Sequence, residues 1–342
     1  MNPSHRATIE DVARLAGVSI STVSRVINET APVADETFQR VRAAIETLHY
    51  VPHAAARQLA SRKTNTIGLL LPTISGSFFP PMLRGVEHGA REGGYDLLIY
   101  TTQALPQAGR PRALGEHNTD GILIFTNSLS NQEMDHLYGL GFPMVLLHQS
   151  SPEGMSIPCV TFENKGGTRK MMDYLVETCG YSRIAFLTGP ENNEDAYWRE
   201  LGYREALAAH GLPYDPTLVK MGGFDEQLAQ TAVREWLTEG VVLDVIFAAD
   251  DESAAGVLSA LRQGGVAVPD QLAVVGFDDV PPSRFLSPPL TTIRAPIEQA
   301  GYEAALQLIH LIEGEEVEPL VLLPTELVIR RSCGNPDPIF NL

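Results

Sequence analysis

Apolar residues recur at helical spacing through the first fifty positions and predict three short helices there. In the first helix, Val12, Leu15 and Ala16 share one face. Thr8 precedes this helix and Asp11 stands three places further on, which is a start signal of the capping-box type. The third helix is predicted over residues 35–49 from the apolar positions Phe38, Val41, Ile45 and Leu48.

A sharp turn joins the first helix to the second. Gly17 stands at this turn, because glycine adopts positive φ without steric cost. Ser19 is well placed to cap the second helix, and Val23, Val26 and Ile27 form its inner face. The other residues near its start point outward, as in a helix-turn-helix whose second helix enters the major groove of DNA. These residues are Ile20, Ser21, Thr22, Ser24 and Arg25.

Charge separates the start of the chain from the rest. Residues 1–63 hold eight Lys and Arg against six Asp and Glu, a net charge of +2, whereas the whole chain carries −17. The remainder therefore carries −19, and only the first segment is suited to approach phosphates. Spacing and charge alone still fit an ordinary three-helix bundle with a glycine turn.

The segment after these helices predicts one more short helix, beginning near Pro52. It is alanine-rich and about two turns long, so it is marginal alone in water. Leu59 is its one large apolar residue and is suited to wedge between base steps in the minor groove. On composition alone, an ordinary interdomain linker is the alternative.

Buried-strand patterns alternate with amphipathic helical patterns through the rest of the chain. This alternation is typical of an α/β protein with parallel sheets covered on both faces, and the length suits two lobes. Because such sheets bind ligands at the carboxyl ends of their strands, we expect a cleft between the lobes. The predicted strands are 67–71, 95–101, 121–126, 144–148, 183–188, 245–249 and 272–277, and the predicted helices include 80–92, 167–178, 199–210, 226–239 and 251–263.

Other classes of protein are not favoured by the sequence. It contains no apolar run long enough for a membrane span and no apolar signal region, so we expect a cytoplasmic protein. Cys159, Cys179 and Cys333 lack metal-ligand spacing and fit a reducing compartment. Without a phosphate-binding loop, a nucleophile elbow or a metal cluster, we expect no enzyme activity, no cofactor and no metal.

The head of the chain resembles the lactose/galactose repressor family of bacterial transcription regulators. The matching text lies at residues 8–13, 17–19, 22–28 and 50–60, and the resemblance continues to about residue 332. It implies a regulator, of the repressor type, that binds a palindromic operator as a homodimer. DNA contacts are implied for Thr8, Ser19, Ile20, Ser21, Thr22, Ser24, Arg25, Asn28, His53, Ala56 and Leu59.

The resemblance also implies the domain organisation, with a helix-turn-helix headpiece and a two-lobed, doubly wound effector domain like the periplasmic binding proteins. Pro336 and Pro338 in the tail, without leucine heptads, predict a dimer and not a coiled-coil tetramer. The implied boundaries are headpiece 1–51, hinge helix and linker 52–63, effector and dimerisation domain 64–332 and tail 333–342, with lobe 1 at 64–162 plus 294–323, lobe 2 at 163–290 plus 326–332, and crossings near 162–164, 290–293 and 323–326.

For the effector pocket, the resemblance implies side chains at the strand ends. Carboxylates and an arginine beside an aromatic face suit a polyhydroxylated ligand such as a sugar or a sugar derivative. His148-Gln149 stands where the family usually has Asp-Arg, and Asp250-Asp251 stands where it usually has Asn-Asp. These two replacements allow an effector other than the family's common pentoses and hexoses. The implied pocket residues are Phe78, Phe79, His148, Arg199, Phe224, Asp250 and Asp278.

Several alternatives stay open from the residues alone. Phe78 and Phe79 fit local packing as well as stacking on a sugar ring, and paired acids at strand ends fit helix capping, cation binding or hydroxyl binding. Residues 104–118 predict an irregular segment where the family has a helix. Ala34 stands where the family has a capping serine, and Asp35 is expected to serve instead. A solute-binding protein without DNA function is the alternative for the whole chain.

Overall fold

The computed structural model describes residues 7–28, 31–50, 63–102 and 114–334, with the backbone alone at Asn28. The chain divides into two compact units, residues 1–64 and 65–342, and each is described by itself. Three predicted DNA contacts, at His53, Ala56 and Leu59, lie outside the described residues, as do residues 335–342 of the tail. The same holds for the side chain of Asn28.

The first unit contains the three helices that the apolar pattern predicts. They are α1 (Ile9–Ala16), α2 (Ile20–Asn28) and α3 (Asp35–Thr47). Thr8 and Asp11 form the capping box, with the Asp11 amide donating to the Thr8 hydroxyl and the Thr8 amide to the Asp11 carboxylate. Gly17 then turns the chain at a φ of 65°.

Two expectations about this unit are wrong. Leu15 is 53% exposed, and Ala13 takes its place in the core beside Val12. The reason is geometric, since the buried stripe of α1 runs through positions 12, 13 and 16 and position 15 falls outside it. Asp35 does not cap α3, because the helix begins directly after Ala34 without any side-chain cap.

The first sheet of the second unit has six parallel strands. Together with the helices that cover it, α4 (Phe79–Glu92), α5 (Asn131–Gly139) and α10 (Ile297–Glu313), it forms what we call the first lobe. The strand order is β11-β5-β4-β3-β1-β2. The strands are β1 (Thr66–Leu71), β2 (Asp96–Thr101), β3 (Gly121–Phe125), β4 (Met144–Leu147), β5 (Cys159–Phe162) and β11 (Leu320–Leu323).

The second sheet also has six strands, and only β12 runs antiparallel. With α6 (Asn164–Asp173), α7 (Glu194–Ala209), α8 (Glu226–Glu239) and α9 (Asp251–Gln263) it forms the second lobe. The strand order is β12-β10-β9-β8-β6-β7. The strands are β6 (Ile184–Thr188), β7 (Val219–Met221), β8 (Val245–Ala248), β9 (Ala273–Asp278), β10 (Thr291–Arg294) and β12 (Glu326–Val328).

The predicted helices 226–239 and 251–263 are confirmed at both ends. The helix predicted over 199–210 begins five residues earlier, because Asn193 caps it by accepting a hydrogen bond from the Ala196 amide at 2.9 Å. The helix predicted over 167–178 begins at Asn164, and its last turn is a π-helix. The second crossing between lobes comes after Arg294 and not near 290–293, since β10 pairs with β9 in the second sheet.

Two helices of the first lobe, α4 and α10, approach each other closely. An ideal Cβ on Gly85 would lie 1.9 Å from the Glu298 carbonyl oxygen, and one on Gly301 would lie 2.3 Å from that of Met82. Only glycine permits this approach. It fixes the position of α4, whose first residue is Phe79.

Residues 114–118 form bends and turns, and residues 103–113 of the segment predicted to be irregular lie outside the described part. Within the described ranges, no helix is both long enough and apolar enough to cross a membrane.

Candidate functional site

The start of α2 presents a cluster of hydroxyl groups. The Ser19 hydroxyl accepts a hydrogen bond from the Thr22 amide at 3.2 Å and lies 2.8 Å from both the Ser21 and the Thr22 hydroxyl oxygens. The predicted cap is therefore confirmed. It fixes the first turn of α2, where the helix backbone also offers its free N–H groups.

The outward face of α2 carries the side chains predicted to read DNA. Ile20 is 47% exposed, and Ser21 and Arg25 are also exposed. Ser24 is half-buried. Thr8 lies at the start of α1, where its hydroxyl donates to Asp11 at 2.8 Å. The DNA contacts of all these residues stay predictions.

A cleft of about 450 Å³ lies between the two lobes, at the carboxyl ends of both sheets. From the first lobe, Phe78 and Phe79 enter it in the segment that follows β1. From the second lobe come Phe224 after β7, Asp250 after β8 and Asp278 at the end of β9. Arg199 of α7 completes the predicted residues that line it. Six of the seven predicted pocket residues are thus brought together.

Arg199 is the central cation of the cleft, and its side chain is only 2% exposed. Its Nε donates to Asn164 Oδ1 at 2.8 Å, Nη1 to the Ala249 carbonyl at 2.6 Å and Nη2 to Asp278 Oδ1 at 2.9 Å. The guanidinium carbon also lies 3.8 Å from the centroid of the Phe277 ring. Each of its three nitrogens is therefore already engaged by the protein.

The adjacent acids Asp250 and Asp251 have different roles. Asp250 caps α9 by accepting from the Glu252 and Ser253 amides, so the capping interpretation applies to it. Burial raises the pKa of Asp250 to about 6, against the hydrogen bonds from Ser253 and the charge of Arg199. Asp251 points away from the cleft, and burial raises its pKa to about 7, in spite of its own hydrogen bonds.

Those bonds make Asp251 a junction inside the second lobe. Its carboxylate accepts from the Val280 amide at 3.0 Å and from the hydroxyls of Ser283 and Thr292 at 2.5 and 2.6 Å. It therefore joins the start of α9 to the segment after β9 and to β10.

The second acidic pair, Asp278 and Asp279, does not cap a helix. Burial holds the pKa of Asp278 well above its usual range, although the Arg199 charge acts in the opposite direction. Asp279 accepts from Arg294 Nε at 2.9 Å and from Arg330 Nη2 at 2.6 Å. Of this pair, only Asp278 lines the cleft.

The expectation that His148 borders the pocket is wrong. Its ring is 1% exposed and packs behind the wall of the cleft against Phe78, Phe125 and Phe162, with ring centroids 4.6 to 5.6 Å apart. Its Nδ1 lies 3.1 Å from Asp195 Oδ2 in poor hydrogen-bond geometry, and within the described residues neither ring nitrogen has a hydrogen-bond partner. Aromatic packing therefore keeps His148 out of the cleft, and Asp195 lines the cleft instead.

Asp195 was not predicted. Burial raises the pKa of Asp195, but its contact with His148, the charge of Arg199 and the hydrogen bond from Asn164 together outweigh burial, and the net pKa lies below the usual range. It accepts a hydrogen bond from Asn164 Nδ2 at 2.7 Å. The sequence signal for Asp195 is the polar run that follows β6. Because α7 was predicted to begin only at residue 199, this run was not assigned to the helix. Further lining residues missed were Thr73, Ser75, Phe125, Asn127, Asn193, Asp225 and Glu252.

Left-handed backbone conformations concentrate around the cleft. Among the described residues other than glycine, seven have positive φ. Three of these, Asn127 at 61°, Phe224 at 57° and Asp278 at 110°, line the cleft, and His148 at 59° lies behind its wall. Each such residue costs about 1–3 kcal/mol, and such strain clusters at ligand sites.

Polar contacts join the two lobes at the rim. The Ser150 amide and hydroxyl both donate to the Glu194 carboxylate at 2.5 Å. Asn127 Nδ2 donates to the Asn192 carbonyl at 2.9 Å. With the approach of His148 to Asp195 and the hydrogen bond that Thr161 Oγ1 donates to Asp195 Oδ1 at 3.3 Å, four contacts therefore depend on how far the lobes are closed. In the described part of the chain, no group of three or more His, Cys, Asp or Glu side chains is suited to hold a metal ion.

Comparison with known proteins matches both parts of the chain. The profile of bacterial regulatory proteins of the lacI family matches residues 8–53, and that of a periplasmic binding protein-like domain matches residues 172–333. The HTH-type transcriptional regulator CelR of Thermobifida fusca is 35% identical over 342 residues, covering 97% of this chain and 100% of its own.

Two solved structures are similar over nearly the whole length. The Lac repressor dimer bound to operator and the anti-inducer ONPF has a TM-score of 0.81 at 28% identity and covers 96% of this chain and 99% of its own. The complex of the transcriptional regulator CelR with cellobiose has a TM-score of 0.70 at 34% identity and covers 96% and 100%. One carries DNA and the other a disaccharide.

Proposed function

Because this chain belongs to the lacI family of bacterial regulatory proteins, we propose that it binds a palindromic operator as a homodimer and is controlled by a small saccharide. The fold class predicted from the sequence is confirmed by the two matched domains and by the likeness to the Lac repressor. The observation that carries the proposal is that one chain combines two features. The first is the capped helix α2 with exposed side chains at its start, and the second is a cleft at the strand ends with one arginine among acids.

The proposed homodimer and the palindromic operator have the same two-fold symmetry. A protein with two-fold symmetry presents two reading helices to a DNA site with the same symmetry. The proposed organisation keeps residues 1–51 as the headpiece, 52–63 as the hinge and 64–332 as the effector and dimerisation domain. In this proposal the protein acts in the cytoplasm, where its operator is.

Arg25 gives the direct test of DNA reading. Removing an arginine that contacts base edges costs about 1–3 kcal/mol and relaxes specificity, whereas removing a phosphate contact weakens all DNA equally. We expect Arg25→Ala to lose about tenfold or more in affinity for an operator selected from random duplexes, measured by fluorescence anisotropy at fixed salt. Arg91→Ala, which changes an exposed arginine of α4 paired with Glu87, is the control and should bind like the wild type.

An unchanged affinity of Arg25→Ala for the selected operator would contradict the assignment of α2 as the reading helix. A protein that selects no operator at all would instead be a solute-binding protein. Leu59→Ala tests the hinge separately. It should weaken binding to the full palindrome while leaving binding to a half-site unchanged, because the wedge acts only where two hinges meet at the centre.

Control by a saccharide is proposed to act through the contacts between lobes. A ligand in the cleft touches both lobes, so it favours whichever degree of closure it binds better. At the rim, this closure is accompanied by the hydrogen bonds Ser150–Glu194 and Asn127–Asn192. Binding energies are reciprocal, so a saccharide that changes operator affinity by some factor must bind differently by the same factor when operator is present. Calorimetry with and without operator, using cellobiose first, measures the change in saccharide affinity; a saccharide affinity that operator leaves unchanged would refute the coupling.

A further inference from the structure

The cleft is strongly unbalanced in charge. Five carboxylates and one guanidinium line it among the described residues. The guanidinium, Arg199, already donates through three of its five N–H groups to protein oxygens, and its charge is paired with Asp278. A ligand that carries a phosphate or carboxylate would therefore meet five acids against one cation that is already paired, and like charges at close range are costly.

Four of the five carboxylates are already occupied by the protein. Asp250 and Asp225 accept hydrogen bonds from backbone amides at the starts of α9 and α8. Asp278 pairs with Arg199, and Asp195 accepts a hydrogen bond from Asn164. These groups hold the cleft in shape. They leave little capacity to neutralise a charged ligand group.

Glu252 is the exception. It stands in the first turn of α9 in the second lobe and is half-buried, and within the described residues its carboxylate has no hydrogen bond or ion pair. The carboxylate reaches the first lobe, since an ideal Cβ on Gly76 would lie 2.9 Å from Glu252 Oε2. Gly76 has a φ of 90°, a conformation that favours glycine. An unpaired carboxylate therefore spans the mouth of the cleft between the lobes.

From this geometry we infer that the ligand is an aminated saccharide whose ammonium group binds Glu252, an inference that rests on the proposed function of the cleft as the ligand site. The sugar ring lies between the Phe78 and Phe224 faces, and its hydroxyls donate to the remaining acids. An ammonium against a carboxylate gives a charge-assisted hydrogen bond, roughly twice as strong as a neutral one. Because Glu252 lies against Gly76 of the first lobe, the ammonium binds where the two lobes meet.

Matched pairs of sugars test this inference by calorimetry on the full-length protein. The pairs are D-glucosamine with D-glucose, D-galactosamine with D-galactose, and the β-linked glucosamine disaccharide with cellobiose. We expect at least one amino sugar to bind about tenfold or more tightly than its hydroxyl partner. In Glu252→Gln this preference should fall to about twofold or less, because the shape is kept and the charge is removed.

Glu226→Gln is the matched control. Glu226 is also a first-turn glutamate, at the start of α8, but it is exposed, accepts from Gln230 and does not line the cleft. This variant should keep the full preference. The inference is overturned if no amino sugar binds, if the hydroxyl partner binds as tightly, or if Glu252→Gln keeps the preference. Operator anisotropy on the same samples separates the two proposals, since selective operator binding with a neutral sugar as effector would leave the proposed function standing.

Discussion

Replacing Arg199 with methionine should strongly destabilise the second lobe. The change keeps much of the apolar stem but removes the cation that pairs with the buried Asp278 carboxyl at 2.9 Å. Breaking a buried pair by removing one partner costs about 3–5 kcal/mol. Asp250 and Asp195 contribute further negative charge near Asp278, so we expect a loss in the upper part of that range at about pH 8.

The loss should depend on pH in a defined direction. Burial raises the pKa of Asp278, and removing Arg199 raises it further. At about pH 5.5 the carboxyl of the variant takes up a proton at little cost, so the loss there should be smaller by about 1 kcal/mol or more. Urea unfolding at both pH values measures this, followed by the fluorescence of the two tryptophans, Trp198 and the buried Trp236, which both lie in the second lobe.

Arg204→Met is the control for that experiment. Arg204 lies on the same helix but is half-exposed, paired with Glu200 and stacked on Tyr214. Exposed pairs are worth about 1 kcal/mol or less, without a strong pH dependence. Equal losses for Arg199→Met at both pH values, or a loss no larger than that of the control, would refute the assignment of a buried arginine that neutralises Asp278.

Three further predictions concern other parts of the chain. Gly85→Ala should lower the free energy of unfolding by about 3 kcal/mol, because its Cβ meets the Glu298 backbone, whereas Gly139→Ala, with open space around it, should change it by about 1 kcal/mol or less in calorimetry. Ser19→Ala removes the cap of α2 and should cost the first unit about 1 kcal/mol in thermal unfolding followed by circular dichroism; a cost near zero would mean that the cap is not needed. The wild type should lose stability in urea as the pH rises from about 4 to about 7, because the folded Asp251 keeps a proton that the unfolded chain releases, and Asp251→Asn should flatten this slope.

The fold could be predicted from the sequence wherever patterns were long. Strands such as β1 and β3 are largely apolar runs, and α8 begins and ends where its pattern does. Strands of only three residues, such as β7 and β12, are too short to show a period. The start of α7 was misplaced because a side-chain cap at Asn193, and not an apolar position, determines it.

The cleft was predictable in part, for a physical reason. Parallel strands end at a common edge, so polar residues after strands had to meet there, and Arg199, Asp250 and Asp278 do. Which side chain enters the cleft and which turns back depends on three-dimensional packing. His148 turned back because aromatic rings surround it, and Glu252 was missed because a glutamate in a first helical turn is ordinarily a solvated charge.

The two roles of Asp250 bear on how such a cleft can evolve. One carboxylate both starts α9 and forms part of the binding surface, so a substitution there by a residue other than Asn, Ser or Thr also removes a helix cap worth about 1 kcal/mol. Phe78 and Glu252 line the same cleft without any side-chain hydrogen bond to a helix end in the described chain. New specificities should therefore arise first at these two positions, and changes at Asp250 that remove the cap should survive selection only in variants already stabilised elsewhere.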